Sequence, residues 1–168
     1  MPVAETASTF NEVLTVSAAI DAAESDDEKL ALIESQLSDA CQIICDIYSR
    51  YLFESAVFAA RPEEFLDPDR LCQMMLEAQK KAYGNGLDQT CLHPYMWLCK
   101  GHYYSGSLSF YNFPYAFGGL FARGLYAKYQ QEGKDFVPLY KKMLHATSVT
   151  CVEDTAKIAG IDLTDKAF

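Results

Sequence analysis

The sequence lacks any run of 18 apolar residues and any C-x-x-C pair, and it has only six prolines and one tryptophan among 168 residues. Without an apolar run we expect no membrane-spanning helix. The first residues contain no positively charged stretch followed by an apolar one, so we expect no secretory signal peptide and a cytoplasmic location. The six cysteines are then expected to be reduced and mostly buried, and their spacing argues against a metal or redox role.

Basic residues are also few. Fourteen Lys and Arg face 23 Asp and Glu, which gives a net charge of −9 and a pI of about 4.7. Such a surface repels phosphate backbones, so we expect no nucleic-acid partner. Half of the residues are hydrophobic and 13% are aromatic, a globular composition that predicts a single domain over residues 1–168.

Apolar residues recur at three- and four-residue spacing almost throughout, and no segment alternates as a strand does. The pattern predicts an all-α fold. The helices are expected over residues 4–22, 27–60, 67–82, 94–100, 110–131 and 135–146, with a last helix capped by Ser148 or Thr150. The second of these, capped by Ser25 or Asp26, is long and should bury one apolar stripe. That stripe comprises Leu30, Ile33, Leu37, Ala40, Ile44, Ile47, Tyr48 and Tyr51.

The segment PVAETASTFNE carries two acids, Glu5 and Glu12, seven residues apart. This spacing is nearly two helical turns, so both carboxylates share one helix face. Small residues beside Glu5 would let another helix approach and bring the carboxylate to a buried centre. The alternative is two solvated acids near a helix N-terminus, where the helix dipole favours them.

The segment GHYYSGSLSFYNFPYAFGG combines His102 with four tyrosines. Tyr111 and Tyr115 are four apart and are expected on one face of a helix that begins near Phe110. A histidine and two phenols can donate hydrogen bonds to an oxygen that gains negative charge in a transition state. The alternative is an aromatic core with an incidental histidine. The other two histidines, His93 and His145, are interpreted as structural.

Together, PVAETASTFNE and HYYSGSLSFYNFPYAFG resemble two segments of the thimet oligopeptidase and oligoendopeptidase F family of zinc metallopeptidases. The resemblance covers essentially the whole chain. It implies a mostly helical catalytic domain around a channel, which cleaves short peptides with a zinc ion held by two histidines of an HExxH helix and by a glutamate of the next helix.

The same resemblance implies site residues. Glu5 would be the third zinc ligand. Glu12 would not bind zinc itself but would orient a residue that does. His102 and a tyrosine would bind the substrate carbonyl and its oxyanion, with Tyr111 the first choice, then Tyr115, then Tyr104. The spacing between His102 and the helix tyrosines is longer here than in much of the family, through SGSLS.

No HExxH occurs in the sequence, so the resemblance leaves two zinc ligands and the general base unaccounted for. We therefore expect a C-terminal fragment of a peptidase catalytic domain, inactive by itself, whose partners are the missing HExxH part and short peptides. Its uncovered apolar face would favour self-association. The alternative is a non-catalytic helical module that binds peptides or a partner protein. A separate Cys/His metal protein is the weakest hypothesis.

Overall fold

A computed structural model describes residues 2–166, which are entirely helices, turns and loops. The all-α prediction is confirmed. The chain divides into two compact units. The first joins the N-terminal stretch up to Gln36 to the stretch from Phe117 onward, and the second is Leu37–Ala116. No helix within residues 2–166 is both long and apolar enough to cross a membrane.

The first unit begins with α1, Thr6–Ala22, and ends with α6, Phe136–Ala146, and α7, Val152–Ile158. Most of α5, Phe113–Glu132, also belongs to it. Phe10 from α1 stacks on Tyr140 of α6 with ring centroids 4.4 Å apart. The buried core of this unit comprises Phe10, Phe121, Ala122, Leu125, Phe136, Met143, Ala156, Ala159 and Ile161. The last helix starts after Cys151, not after the predicted caps Ser148 or Thr150.

The predicted helix 27–60 is one helical run with a defect. α2 spans Asp26–Cys41, a π-helical turn follows at Gln42–Asp46, and α3 spans Ile47–Ala60. The Ser25 hydroxyl accepts the Glu28 N–H at 3.2 Å, which confirms Ser25 as the cap. The π-helical turn adds a residue to one turn of the helix, an irregularity that apolar spacing does not predict.

The apolar stripe of this run is exposed, and the prediction that it is buried is wrong. Every residue of α2 is at least partly exposed, and of the predicted stripe only Ile47 is buried. Leu30 and Leu37 are each 65% exposed. The cysteine prediction also fails, because four of the six thiols are exposed and the other two are half-buried, although all six are unpaired. Burying an apolar side chain requires a surface that covers it, and residues 2–166 provide no such surface for most of this stripe.

The second unit packs α3 against α4, Pro68–Tyr83. The Asp67 side chain caps α4 by accepting the Arg70 N–H at 2.8 Å, and proline takes the first helical position, where its missing N–H costs nothing. The unit's core comprises Phe53, Met74, Met75 and Ala78.

The buried Gln79 of α4 holds the loop that follows. Its side-chain amide donates to the His93 carbonyl at 2.8 Å and accepts the His93 N–H at 3.2 Å. The chain continues through short 3₁₀ turns at Met96–Cys99 and Gly101–Tyr104. The first of these replaces the predicted helix over 94–100.

Candidate functional site

Glu5 lies in a turn just before α1, half-buried, in the first unit. The Ser8 hydroxyl donates to the Glu5 carbonyl at 3.0 Å and lies 3.3 Å from its carboxylate Oε2. Gly118 of α5 packs directly on this turn. A Cβ at Gly118 would lie 3.1 Å from both the Glu5 carbonyl carbon and the Thr6 nitrogen. A close backbone contact therefore positions Glu5.

Glu12 lies two turns further along α1 and is exposed. Among residues 2–166 no three His, Cys, Asp or Glu side chains converge as metal ligands. A catalytic zinc ion requires about three protein ligands. The described side chains by themselves do not fit a zinc ion, because Glu5 can contribute only one of these ligands.

His102 and Tyr111 come together in the second unit. His102 lies in the 3₁₀ turn Gly101–Tyr104, and its ring stacks on that of Tyr111 with centroids 5.2 Å apart and 29° between the planes. Tyr111 meets Tyr115 edge-on at 6.0 Å. The imidazole and the two phenols thus form one continuous group of rings that carries several hydrogen-bond donors.

The local structure around these tyrosines differs from the prediction. α5 starts at Phe113, not near Phe110, so Tyr111 lies in the turn before the helix and Tyr115 within it. Tyr104 is 60% exposed and its hydroxyl donates to the Trp97 carbonyl at 3.3 Å. The structure therefore places Tyr111 against His102 and Tyr115 against Tyr111, and the Tyr104 hydroxyl has a different partner, the Trp97 carbonyl.

A buried polar cluster lies in the same unit and was missed in the sequence. Arg50 of α3 pairs with Asp46 and donates to the Asn112 side chain at 2.9 Å. All three side chains are buried. The four-residue spacing of Asp46, Arg50 and Glu54 was the available signal, since it places acid, base and acid along one helix face.

Glu54 holds a strained turn next to Tyr111. Its Oε1 accepts the Phe110 backbone N–H at 2.8 Å. Phe110 has a φ of 56°, a left-handed conformation that a bulky side chain rarely adopts. Such a residue costs about 1–3 kcal/mol and persists only where its surroundings hold it. The buried Glu54 carboxylate, by accepting the N–H of the strained Phe110, thus fixes the backbone immediately before Tyr111.

Tyr103, next to His102, is held by the buried cluster. Its hydroxyl donates to the Arg50 carbonyl at 3.4 Å. Burial raises the pKa of Tyr103, the nearby Arg50 opposes this rise, and Glu54 and Asp46 add to it. The phenol therefore remains protonated at neutral pH and can act only as a neutral group.

Comparison with known proteins shows a distant similarity to an oligopeptidase. Over an alignment of 171 positions, the chain is 28% identical to oligopeptidase PepF of Bacillus subtilis (strain 168), and the alignment covers 96% of this chain and 24% of PepF. The chain thus spans 24% of the length of this curated relative. No family model and no solved structure matches it. The chain is therefore distantly similar to part of an oligopeptidase.

Proposed function

We propose that this chain is part of a zinc-dependent oligoendopeptidase that hydrolyses short peptides. The observation that carries the proposal is the stacked His102–Tyr111 pair, which brings together two side chains that lie nine residues apart in a motif-bearing segment. The similarity to an oligopeptidase along 96% of the chain supports the same conclusion. So does the close packing that positions Glu5.

Each residue has a distinct role in this proposal. Glu5 supplies one carboxylate to a zinc site whose other ligands come from an HExxH segment outside this chain, and Glu12 assists by orienting a neighbouring ligand. His102 donates to the carbonyl oxygen of the scissile peptide. Tyr111 is the first choice for the second donor, because its ring contacts His102 directly, and Tyr115 follows it. Donors aimed at a developing oxyanion contribute much of the rate in acyl transfer.

The test is to replace the matching segment of Bacillus subtilis PepF with this chain and to assay the hybrid on a fluorogenic short peptide. Glu5→Ala, His102→Ala and Tyr111→Phe should each lower kcat/KM by at least ~10²-fold. The controls Glu63→Ala and Tyr95→Phe change exposed side chains of the same types and should leave the rate unchanged. A hybrid with full activity in the three test variants would refute the proposed roles.

The second candidate function is a non-catalytic helical module that binds a peptide or a partner protein. The exposed apolar stripe favours it, since large exposed apolar patches often mark interaction surfaces. Binding by such a module would not depend on Glu5 or His102. Unchanged partner binding by Glu5→Ala and His102→Ala, together with an inactive hybrid, would favour the module over the peptidase.

A further inference from the structure

A small apolar groove in the second unit has a single charged group on its wall. Its volume is about 180 Å³. For scale, a cavity of about 150 Å³ lined by apolar side chains binds benzene. The groove therefore accommodates one group the size of an aromatic ring. Its apolar walls are formed mainly by Ile44, Ile47, Tyr48, Tyr51, Phe110 and Phe113.

The charged group is Glu54, which is only 7% exposed. Its Oε1 accepts the Phe110 N–H, and Oε2 has no hydrogen-bond partner among residues 2–166. Arg50, one turn earlier on α3, is engaged by Asp46 and Asn112, and Glu54 forms no ion pair within the described part of the chain. Buried carboxylates are rarely left without a cationic partner.

The other walls also favour a cation. Four aromatic residues line the groove together with Glu54, namely Tyr48, Tyr51, Phe110 and Phe113, and the ring centroids of Tyr51 and Phe110 are 5.8 Å apart. The faces of aromatic rings attract ammonium groups electrostatically. A carboxylate among aromatic rings therefore complements an organic ammonium ion that also carries an apolar group.

We propose that this groove binds the amino-terminal residue of a peptide, with its aromatic or branched side chain between the apolar walls and its ammonium group against Glu54. The amino-terminal residue carries both groups on one carbon atom, which fits a cavity this small. Ile44 and Tyr51 at the groove are more than half exposed, so the following peptide can continue into solvent. The inference uses only residues of the second unit and does not depend on the zinc site.

The experiment measures peptide binding to the chain alone, by isothermal titration calorimetry at pH 7. The probe is Phe-Ala-Ala amide, whose free α-amino group is mostly protonated at this pH. N-acetylation removes the charge and should weaken binding about tenfold or more, the size expected for losing a charge-assisted hydrogen bond. Gly-Ala-Ala amide, which lacks the ring, should bind as weakly as the acetylated peptide.

Variants assign the effect to the groove. Glu54→Gln keeps the shape and the acceptor for the Phe110 N–H, and it should make the free and acetylated peptides bind equally. Tyr51→Ala should weaken binding of the free peptide. Tyr95 is a similarly exposed tyrosine outside the groove, and Tyr95→Ala should leave this binding unchanged. The proposal would be overturned if the free and the N-acetylated peptide bound the unmodified chain equally well, or if the free peptide did not bind at millimolar concentration. Phenethylamine binding as tightly as the peptide would overturn the assignment to a peptide.

Discussion

Substituting Gly118 by alanine tests the contact that positions Glu5. Two effects oppose each other. Alanine is about 1 kcal/mol better than glycine in a helix interior, and Gly118 lies within α5. The added methyl group, however, would lie 3.1 Å from two backbone atoms, the Glu5 carbonyl carbon and the Thr6 nitrogen. Backbone atoms cannot rotate away as the end of a flexible side chain can.

The relative size of the two effects decides whether Gly118→Ala raises or lowers the free energy of unfolding. Overpacking a close contact costs about 1–3 kcal/mol, which exceeds the gain in helix propensity over most of that range. We therefore expect Gly118→Ala to lower the free energy of unfolding by about 1 kcal/mol. The larger side chain of Gly118→Val should lower it further. In the PepF hybrid, Gly118→Ala should also reduce kcat, because the turn that carries Glu5 must shift.

Urea unfolding followed by circular dichroism at 222 nm measures these changes. Ala127→Gly, at an exposed position of the same helix, calibrates the propensity term and should cost about 1 kcal/mol. Gly101→Ala adds a methyl group where no heavy atom lies within 4 Å and should show no crowding. If Gly118→Ala were stabilising by about the calibrated amount, the close approach of α5 to the Glu5 turn would be refuted.

Three further predictions concern the buried cluster, a tyrosine and the exposed stripe. Arg50→Met should lower the free energy of unfolding by about 3 kcal/mol or more, since it leaves the buried Asp46 without its main partner. Tyr83→Phe should change the pH dependence of stability: burial, with the nearby Asp46 charge, raises the pKa of Tyr83 to about 12. In the unfolded chain the pKa of this tyrosine is about 10, so the wild type should lose stability as the pH rises from about 10 to about 12. The variant should lose less, as urea midpoints at about pH 9 and 11.5 would show. Leu37→Glu should reduce self-association and binding of a hydrophobic dye, measured by light scattering and fluorescence, because it interrupts the exposed stripe.

Each of these has a matched control. Lys157→Met removes an exposed ion pair and should change stability by less than about 1 kcal/mol. Tyr95→Phe removes an exposed phenol and should leave the alkaline loss of stability in place. Ser38→Glu adds the same charge beside Leu37 without removing an apolar side chain. Control effects as large as those of the test variants would contradict the structural reasons given.

The helices were predictable because their signals are local. Asp67 and Pro68 mark the start of α4 through a side-chain cap and a fixed backbone angle, and both act within one turn. Ser25 does the same for α2. The His102–Tyr111 contact followed only in part, because its two residues were recognised and the start of α5 was placed too early. The turn ending at Phe110 depends on Glu54, 56 residues away, and no local pattern reports such a contact.

Burial was less predictable than helicity. The spacing of Leu30 and Leu37 correctly indicates a helix with one apolar face. It does not indicate whether the surface that would cover this face belongs to the same chain. The cysteines illustrate the same limit, since their apolar neighbourhoods in the sequence predicted burial that the fold does not provide. For the buried charge cluster the error is the opposite, since burial was not predicted. In the sequence Arg50 and Asp46 resemble a solvated helical pair, and only the structure shows that Arg50 also binds the distant Asn112.

The two hydrogen bonds between the Gln79 side chain and the backbone of His93, one donated by each residue, have a practical consequence for protein engineering. They close residues 84–92 into a loop whose two ends are held by α4 and by this side chain. Lengthening a closed loop is thermodynamically mild, since each doubling of its length costs only about 0.6 kcal/mol. Most of the residues between 84 and 91 are exposed. A peptide tag or a small reporter domain inserted after Asn85 should therefore leave both compact units folded, as long as Gln79 is kept.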